Sequence, residues 1–144
     1  MATKAALSEE EYLRTSYSGV DREFRDGELL ERSVPNFFHG ELQGDFHDFF
    51  RAHRNTRKLY PSVEARIRLR PGRFVIPDVA VFWPNRPTSG LPEELPLIVI
   101  EILSPDDRMS DVVGKLQEYR QCGIPHAVRI PEVDLELRFA ELLG

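Results

Sequence analysis

The sequence predicts an α/β domain, a mixed β-sheet flanked by helices, and three observations carry that prediction. Leu97 to Leu103 (LIVIEIL), bounded by Pro96 and Pro105, is short, apolar and rich in β-branched residues, the pattern of a central strand buried on both faces. A helical period follows it, with Met109, Val112, Val113, Leu116 and Tyr119 as the apolar stripe. Ahead of it, Val63, Ala65, Ile67 and Leu69 alternate with Glu64, Arg66, Arg68 and Arg70, as in a half-buried strand.

Length and composition bound the rest. A chain of 144 residues suits one domain spanning 1–144, and 41% hydrophobic with 30% charged residues is ordinary for a soluble globular protein. No stretch is long and apolar enough to cross a bilayer, and the start MATKAALSEEEY lacks the apolar middle of a secretory signal, so the cytoplasm is the expected location. The single cysteine, Cys122, excludes a disulfide framework or a thiolate metal cluster within one chain. A formal charge of -5 argues against non-specific coating of nucleic acid, while leaving room for a local basic patch. Repeats and low-complexity segments are absent from the sequence.

In chain order, Ser8 with Glu11 reads as a capping box opening a short helix through Tyr12 and Leu13. Asp26-Gly27 between Glu23–Arg25 and Glu28–Leu30 is a two-residue hairpin signal. Phe38, Leu42, Phe46, Phe49 and Phe50 fall at helical spacing, which predicts a helix from Asn36 to about His53. Gly40 and Gly44 weaken that helix and have close packing as their only account. The alternating strand ends at Pro71-Gly72, and a second strand is expected over Phe74–Phe82, with Pro77 implying a late start, an edge position or a bulge. Trp83 to Pro96 reads as a loop, and after the Leu97–Leu103 strand a helix capped by Asp107 or Ser110 runs to Gly123. One further strand is expected within Ile124–Gly144, through Val133, Leu135, Leu137 and Phe139.

Glu101 stands in the middle of the most apolar strand. An ionised carboxylate there is costly unless a cation, hydrogen-bond donors or a proton compensates it, and a metal ion is the sharpest explanation.

The set IPDVAVF with Asp78, IVIEILSP with Glu101, and Asp111, Lys115 and Tyr119 leading to Gly123 resembles the Uma-two family of bacterial restriction-endonuclease-like proteins, within the PD-(D/E)XK nuclease superfamily. The similarity extends to EEEYL around Tyr12, to Glu23–Glu28 with its Asp-Gly turn, and to Pro35–His39. It implies a restriction-endonuclease-like domain acting as a nuclease with Mg²⁺ or Mn²⁺, on nucleic acid and by resemblance on DNA, with room for a homodimer. Asp78, Glu101 and Lys115 would be catalytic, and Asp78, Glu101 and the Ile102 carbonyl would hold the metal.

Two departures stand out. The superfamily places its lysine two residues after the glutamate, where this chain has Leu103, so the resemblance assigns that role to Lys115. After Gly123 the chain reads IPHAVRIPEVDLELRFAELLG, which implies a shortened C-terminal part of the fold.

Phosphodiester hydrolysis needs hard oxygen ligands for the metal and a cation near the nucleophile or the developing charge. Asp78, Glu101 and Lys115 supply that set, with Glu41 as an extra acid and His39 as a weaker candidate. Each has an ordinary rival. Asp78 after Pro77 could only shape a turn, Lys115 could be an i,i+4 partner of Asp111, and His39 and His53 could be packed against their helix's apolar face. Asp106, Asp107 and Asp111 suit helix N-terminal charges, and the Arg66, Arg68, Arg70 and Arg73 row suits either a solvated face or phosphate contacts. Leu103 and the short C-terminus favour a different class, a catalytically silent interaction or dimerisation domain.

Overall fold

The computed structural model describes residues 6–132, so the expected strand through Val133, Leu135, Leu137 and Phe139, and the expected C-terminal shortening, lie outside the described residues. Within them the α/β class is observed, and the strands are shared between two four-stranded sheets.

The first sheet, in the order β2-β1-β5-β4, is antiparallel and joins the hairpin β1 (Glu23–Arg25) and β2 (Glu28–Leu30) to β5 (Arg73–Val75) and β4 (Ile67–Arg70). Asp26 and Gly27 turn the hairpin with φ of 46° and 94°, the left-handed region that this turn demands. Helix α1 (Glu9–Arg14), capped by Ser8 Oγ on the Glu11 amide, lays Tyr12 against Phe24 and Phe74, the paired residues of β1 and β5.

The second sheet, β3-β6-β7-β8, is the mixed one: β6 (Val79–Phe82) runs antiparallel to both β3 (Tyr60–Val63) and β7 (Ile98–Leu103), and β8 (His126–Pro131) lies parallel to β7. The parallel pair is bridged by α4 (Met109–Gln121), the crossover that two parallel strands require. Side chains alternate across this sheet. Val79, Val81, Ile100 and Ile102 face Leu42, Phe46 and Phe50 of α2 (Phe37–Arg51), whereas Ala80, Phe82 and Val99 join Leu116 and Tyr119 of α4. Ile67, Leu69 and Val75 of the first sheet complete this second cluster, so one core ties both sheets to α4. A single turn, α3 (Arg54–Arg57), connects α2 to β3.

Several local expectations change. The Val63–Leu69 alternation is not one strand: Glu64, at φ 51°, breaks it, sending Tyr60–Val63 to one sheet and Ile67–Arg70 to the other. Phe74–Phe82 divides in the same way around Ile76-Pro77-Asp78, because Pro77 has no N–H to offer a ladder. Asn36 caps α2 through the His39 amide, but a Cβ at Gly40 or Gly44 would meet nothing within 4 Å, so close packing does not account for them.

Neither Asp107 nor Ser110 caps α4. Its N-cap is Arg108, without a side-chain hydrogen bond, while Asp107 accepts from the Ser104 amide and the Ser33 hydroxyl. Met109 and Val113 are exposed, which narrows the buried stripe to Val112, Leu116 and Tyr119. The helix does stop at Gly123, with φ 105°.

Candidate active site

Ile76-Pro77-Asp78, the irregular link between β5 and β6, is where the two sheets meet the site. Its backbone is satisfied by side chains: the Ile76 amide donates to Glu23 Oε2 at 2.7 Å, and Arg32 donates to the Ile76 carbonyl at 3.2 Å. Buried Gln43 on α2 donates to the Asp78 carbonyl at 2.8 Å. The Asp78 carboxylate accepts the Ile102 amide of β7 at 2.6 Å on one oxygen, and the other lies 3.1 Å from His39 Nε2. That hydrogen bond, working against burial, raises the His39 pKa above its ordinary value.

Glu101 sits one residue along β7, with its side chain 12% exposed. Its position between Ile100 and Ile102, which face α2, turns it toward α4. There the Tyr119 hydroxyl donates to Glu101 Oε1 at 2.5 Å, and Lys115 Nζ lies 3.3 Å from the same oxygen. Burial pushes the Glu101 pKa up to about 7, with Lys115 opposing and the charges of Asp78 and Glu23 adding to it. The Tyr119 hydroxyl is raised well above its usual value by burial and then by Glu101.

Lys115 has a second acid. Its ammonium is 2.8 Å from Glu23 Oε2, the oxygen that also takes the Ile76 amide, and Asp111 is not among its ion-pair partners in the described residues. Burial would raise the Glu23 carboxyl, but Lys115, the Ile76 amide and Arg73 outweigh it and hold it below the ordinary carboxylate range. Burial would likewise depress Lys115, yet Glu101 and Glu23 keep its pKa above the usual lysine value. Arg73, only 1% exposed, closes the network between Glu23 and Glu118, at 3.6 Å and 3.0 Å.

The structure thus gathers Asp78, Glu101, Ile102 and Lys115 along one cleft of about 780 Å³. His39 belongs to the same cleft, whereas Glu41 is exposed on α2 and does not line it. The acid that sequence reasoning missed is Glu23. Its hairpin position marks it only as a residue beside buried Phe24, and its partner Lys115 is 92 residues away. The arginine row is structural: Arg66 pairs with Asp21, Arg68 with Glu9, Arg70 with Asp26 and Arg73 with Glu118.

Among the described residues no group of three or more His, Cys, Asp or Glu side chains is arranged to hold a metal. Mg²⁺ commonly takes one or two carboxylates and fills its octahedron with water. Two hard carboxylates, one of them buried with a pKa near 7 and so short of positive charge, fit that requirement. A closed four-ligand zinc site finds no such donors here.

One cleft of this α/β fold thus gathers an acid from the middle of β7, a second acid at the entry to β6 and a lysine from the helix that follows β7. The model of the Uma2 family, described as "Putative restriction endonuclease", matches residues 9–136. The chain belongs to that family. Among solved structures it is similar to a protein from Anabaena variabilis ATCC 29413, described as a "putative nuclease belonging to DUF820". That match has a TM-score of 0.72 and 20% identity, covering 87% of this chain and 74% of the other. No curated protein matches the chain. No helix of the described residues is long and apolar enough to cross a membrane.

Proposed function

We propose that this protein is a divalent-metal-dependent nuclease that hydrolyses phosphodiester bonds in DNA, with Asp78, Glu101 and Lys115 as its catalytic residues. The observation that carries the reading is Glu101, 12% exposed and driven toward protonation at neutral pH, yet 3.3 Å from the half-buried Lys115 ammonium in an open cleft. Asp78, Glu101 and the Ile102 carbonyl would hold Mg²⁺ or Mn²⁺. Such an ion, when bound, polarises the phosphate and lowers the pKa of an attacking water.

The chain's own groups do the rest. Tyr119 and Lys115 fix the Glu101 carboxylate, and the Ile102 amide fixes Asp78. Lys115 places a positive charge where the nucleophile and the developing negative charge would lie, a role open to it because Leu103 cannot fill it. The core shared between the two sheets and α4 supports a single domain. Exposed Val34, Phe37 and Phe38 at the entry to α2 support a homodimer, which sedimentation at increasing concentration would test.

A silent interaction domain has one observation in its favour: both Asp78 oxygens and the Lys115 ammonium already have protein partners. Incubation of plasmid, single-stranded DNA and RNA with the protein, in chelator and in Mg²⁺ or Mn²⁺, separates the two. The nuclease reading expects metal-dependent cleavage with DNA preferred. No cleavage of any substrate in either metal supports the silent domain.

A further inference from the structure

At the end of the second sheet away from Asp78 lies another cavity, of about 290 Å³. Tyr60 and Phe82, register partners on β3 and β6, form its inner wall. Phe82 lies four steps along the chain from Asp78, roughly 13 Å at about 3.3 Å per residue. The floor is apolar, with Ala65, Ile67 and Phe82, and the rim carries Arg51 from the end of α2, Arg54 from α3 and Arg86 from the loop after β6.

The charge of this cavity is one-sided. Three arginines line it and no aspartate or glutamate does, in a chain whose formal charge is -5. The Arg66–Arg73 row has an acid for every guanidinium, whereas among the described residues the Arg51, Arg54 and Arg86 side chains form neither an ion pair nor a hydrogen bond. Arg54 is half-buried and its guanidinium lies 5.5 Å from the centre of the Tyr60 ring. A cation–π contact of this kind restrains the guanidinium while leaving N–H groups free to donate. Exposed Arg57 and Lys58 extend the positive field.

We propose that this cavity is a second binding site, separate from the Asp78–Glu101 cleft, for a phosphate group carried on an aromatic body: the chemistry of a nucleotide, free or within a nucleic-acid strand. Guanidinium edges match phosphate oxygens, and the apolar floor beside Tyr60 and Phe82 takes a base. The site does not depend on the nuclease reading.

The test uses the full chain in chelator, where metal-dependent cleavage plays no part, so its failure is distinguishable from failure of the nuclease reading. Inorganic phosphate, a nucleoside monophosphate and a short DNA are titrated into the wild type and an Arg54→Gln/Arg86→Gln variant. Amide NMR signals of Tyr60 and Ser89 serve as the local readout, and melting checks the fold. Exposed Arg86→Gln alone is the reserve variant.

The expected result is that phosphate or the nucleotide shifts those signals in the wild type and binds about tenfold or more weakly in the variant. If nucleic acid is the source, the slope of log affinity against log salt for DNA also falls by about 2 in the double variant. If a free nucleotide is the source, that slope is unchanged and only the monophosphate loses affinity. Wild-type signals that ignore all three probes, or affinities unchanged by the substitutions, would overturn the proposal.

Discussion

The Lys115 ammonium stands 3.3 Å from the Glu101 carboxylate, although one comes from the middle of α4 and the other from the middle of β7. The β7–α4–β8 crossover lays the helix over the strand, and Tyr119, one helical turn further on, fastens the same Glu101 oxygen. A lysine two residues along β7 would lie on the same face of the strand as Glu101. Here Leu103 is buried at that place, and the helix supplies the cation instead.

If Lys115 stabilises the attacking water or the developing charge, Lys115→Met should lower turnover by about a hundredfold or more, since donors of this kind supply roughly 2.7–4 kcal/mol. Lys115 also holds the Glu101 pKa down, so the two proteins are compared with the metal saturating. Single-turnover cleavage at saturating Mg²⁺ is the measurement. Unchanged cleavage by a folded variant would remove Lys115 from the chemistry.

Glu23→Gln tests whether Lys115 is held from behind. The amide can still accept the Ile76 N–H, but Lys115 and Arg73 lose a buried counter-charge. Removing one partner of such a pair costs about 3 kcal/mol or more. We expect a lower melting temperature together with reduced turnover, and melting equal to wild type would show that Glu23 contributes no net stability.

The pH dependence of stability separates the two buried acids. Glu101 rises from its ordinary 4.5 to about 7 on folding, so its penalty is complete above pH 7 and fades as pH falls toward 4.5. By the shift alone that penalty is roughly 3 kcal/mol. Glu23 is lowered, so its contribution is present above its unfolded pKa and is lost as pH falls through its folded pKa. In chelator the wild type should therefore gain stability from pH 8 toward 5, with His39, whose pKa is also raised on folding, adding to the gain; Glu101→Gln should remove the Glu101 share and leave the smaller His39 share and the acid limb. Denaturant titrations across this range would contradict the assignment if both proteins kept the same slope.

Much of this was legible in the residues themselves. Ser8, Asp26-Gly27 and Gly123 place their caps and turns correctly because each acts through its own local backbone. Two division points were not legible as such. The alternation through Val63–Leu69 is the same whichever sheet takes each half, and only the left-handed backbone at Glu64 separates them. Pro77 signalled an irregular strand, but not that Ile76 would find Glu23 and Arg32 in place of a ladder. Asp78 and Glu101 stood out as charges among apolar neighbours, and the family resemblance added Lys115. Glu23 did not, because its partners come from distant parts of the chain, and Glu41 did so misleadingly, since its helix turns it to solvent.

The central claim is that Glu101 lacks a positive charge that a divalent ion supplies, and paired melting curves of wild type and Glu101→Gln test it most directly. In chelator Glu101→Gln should melt higher than the wild type, since it keeps the shape and removes the buried charge. Millimolar Mg²⁺ should raise the wild-type melting temperature through binding to the folded state alone, and should leave Glu101→Gln nearly unmoved. A variant that melts lower in chelator, beside a wild type indifferent to Mg²⁺, would instead make Glu101 a structural carboxylate satisfied by Tyr119 and Lys115, and would contradict the metal site.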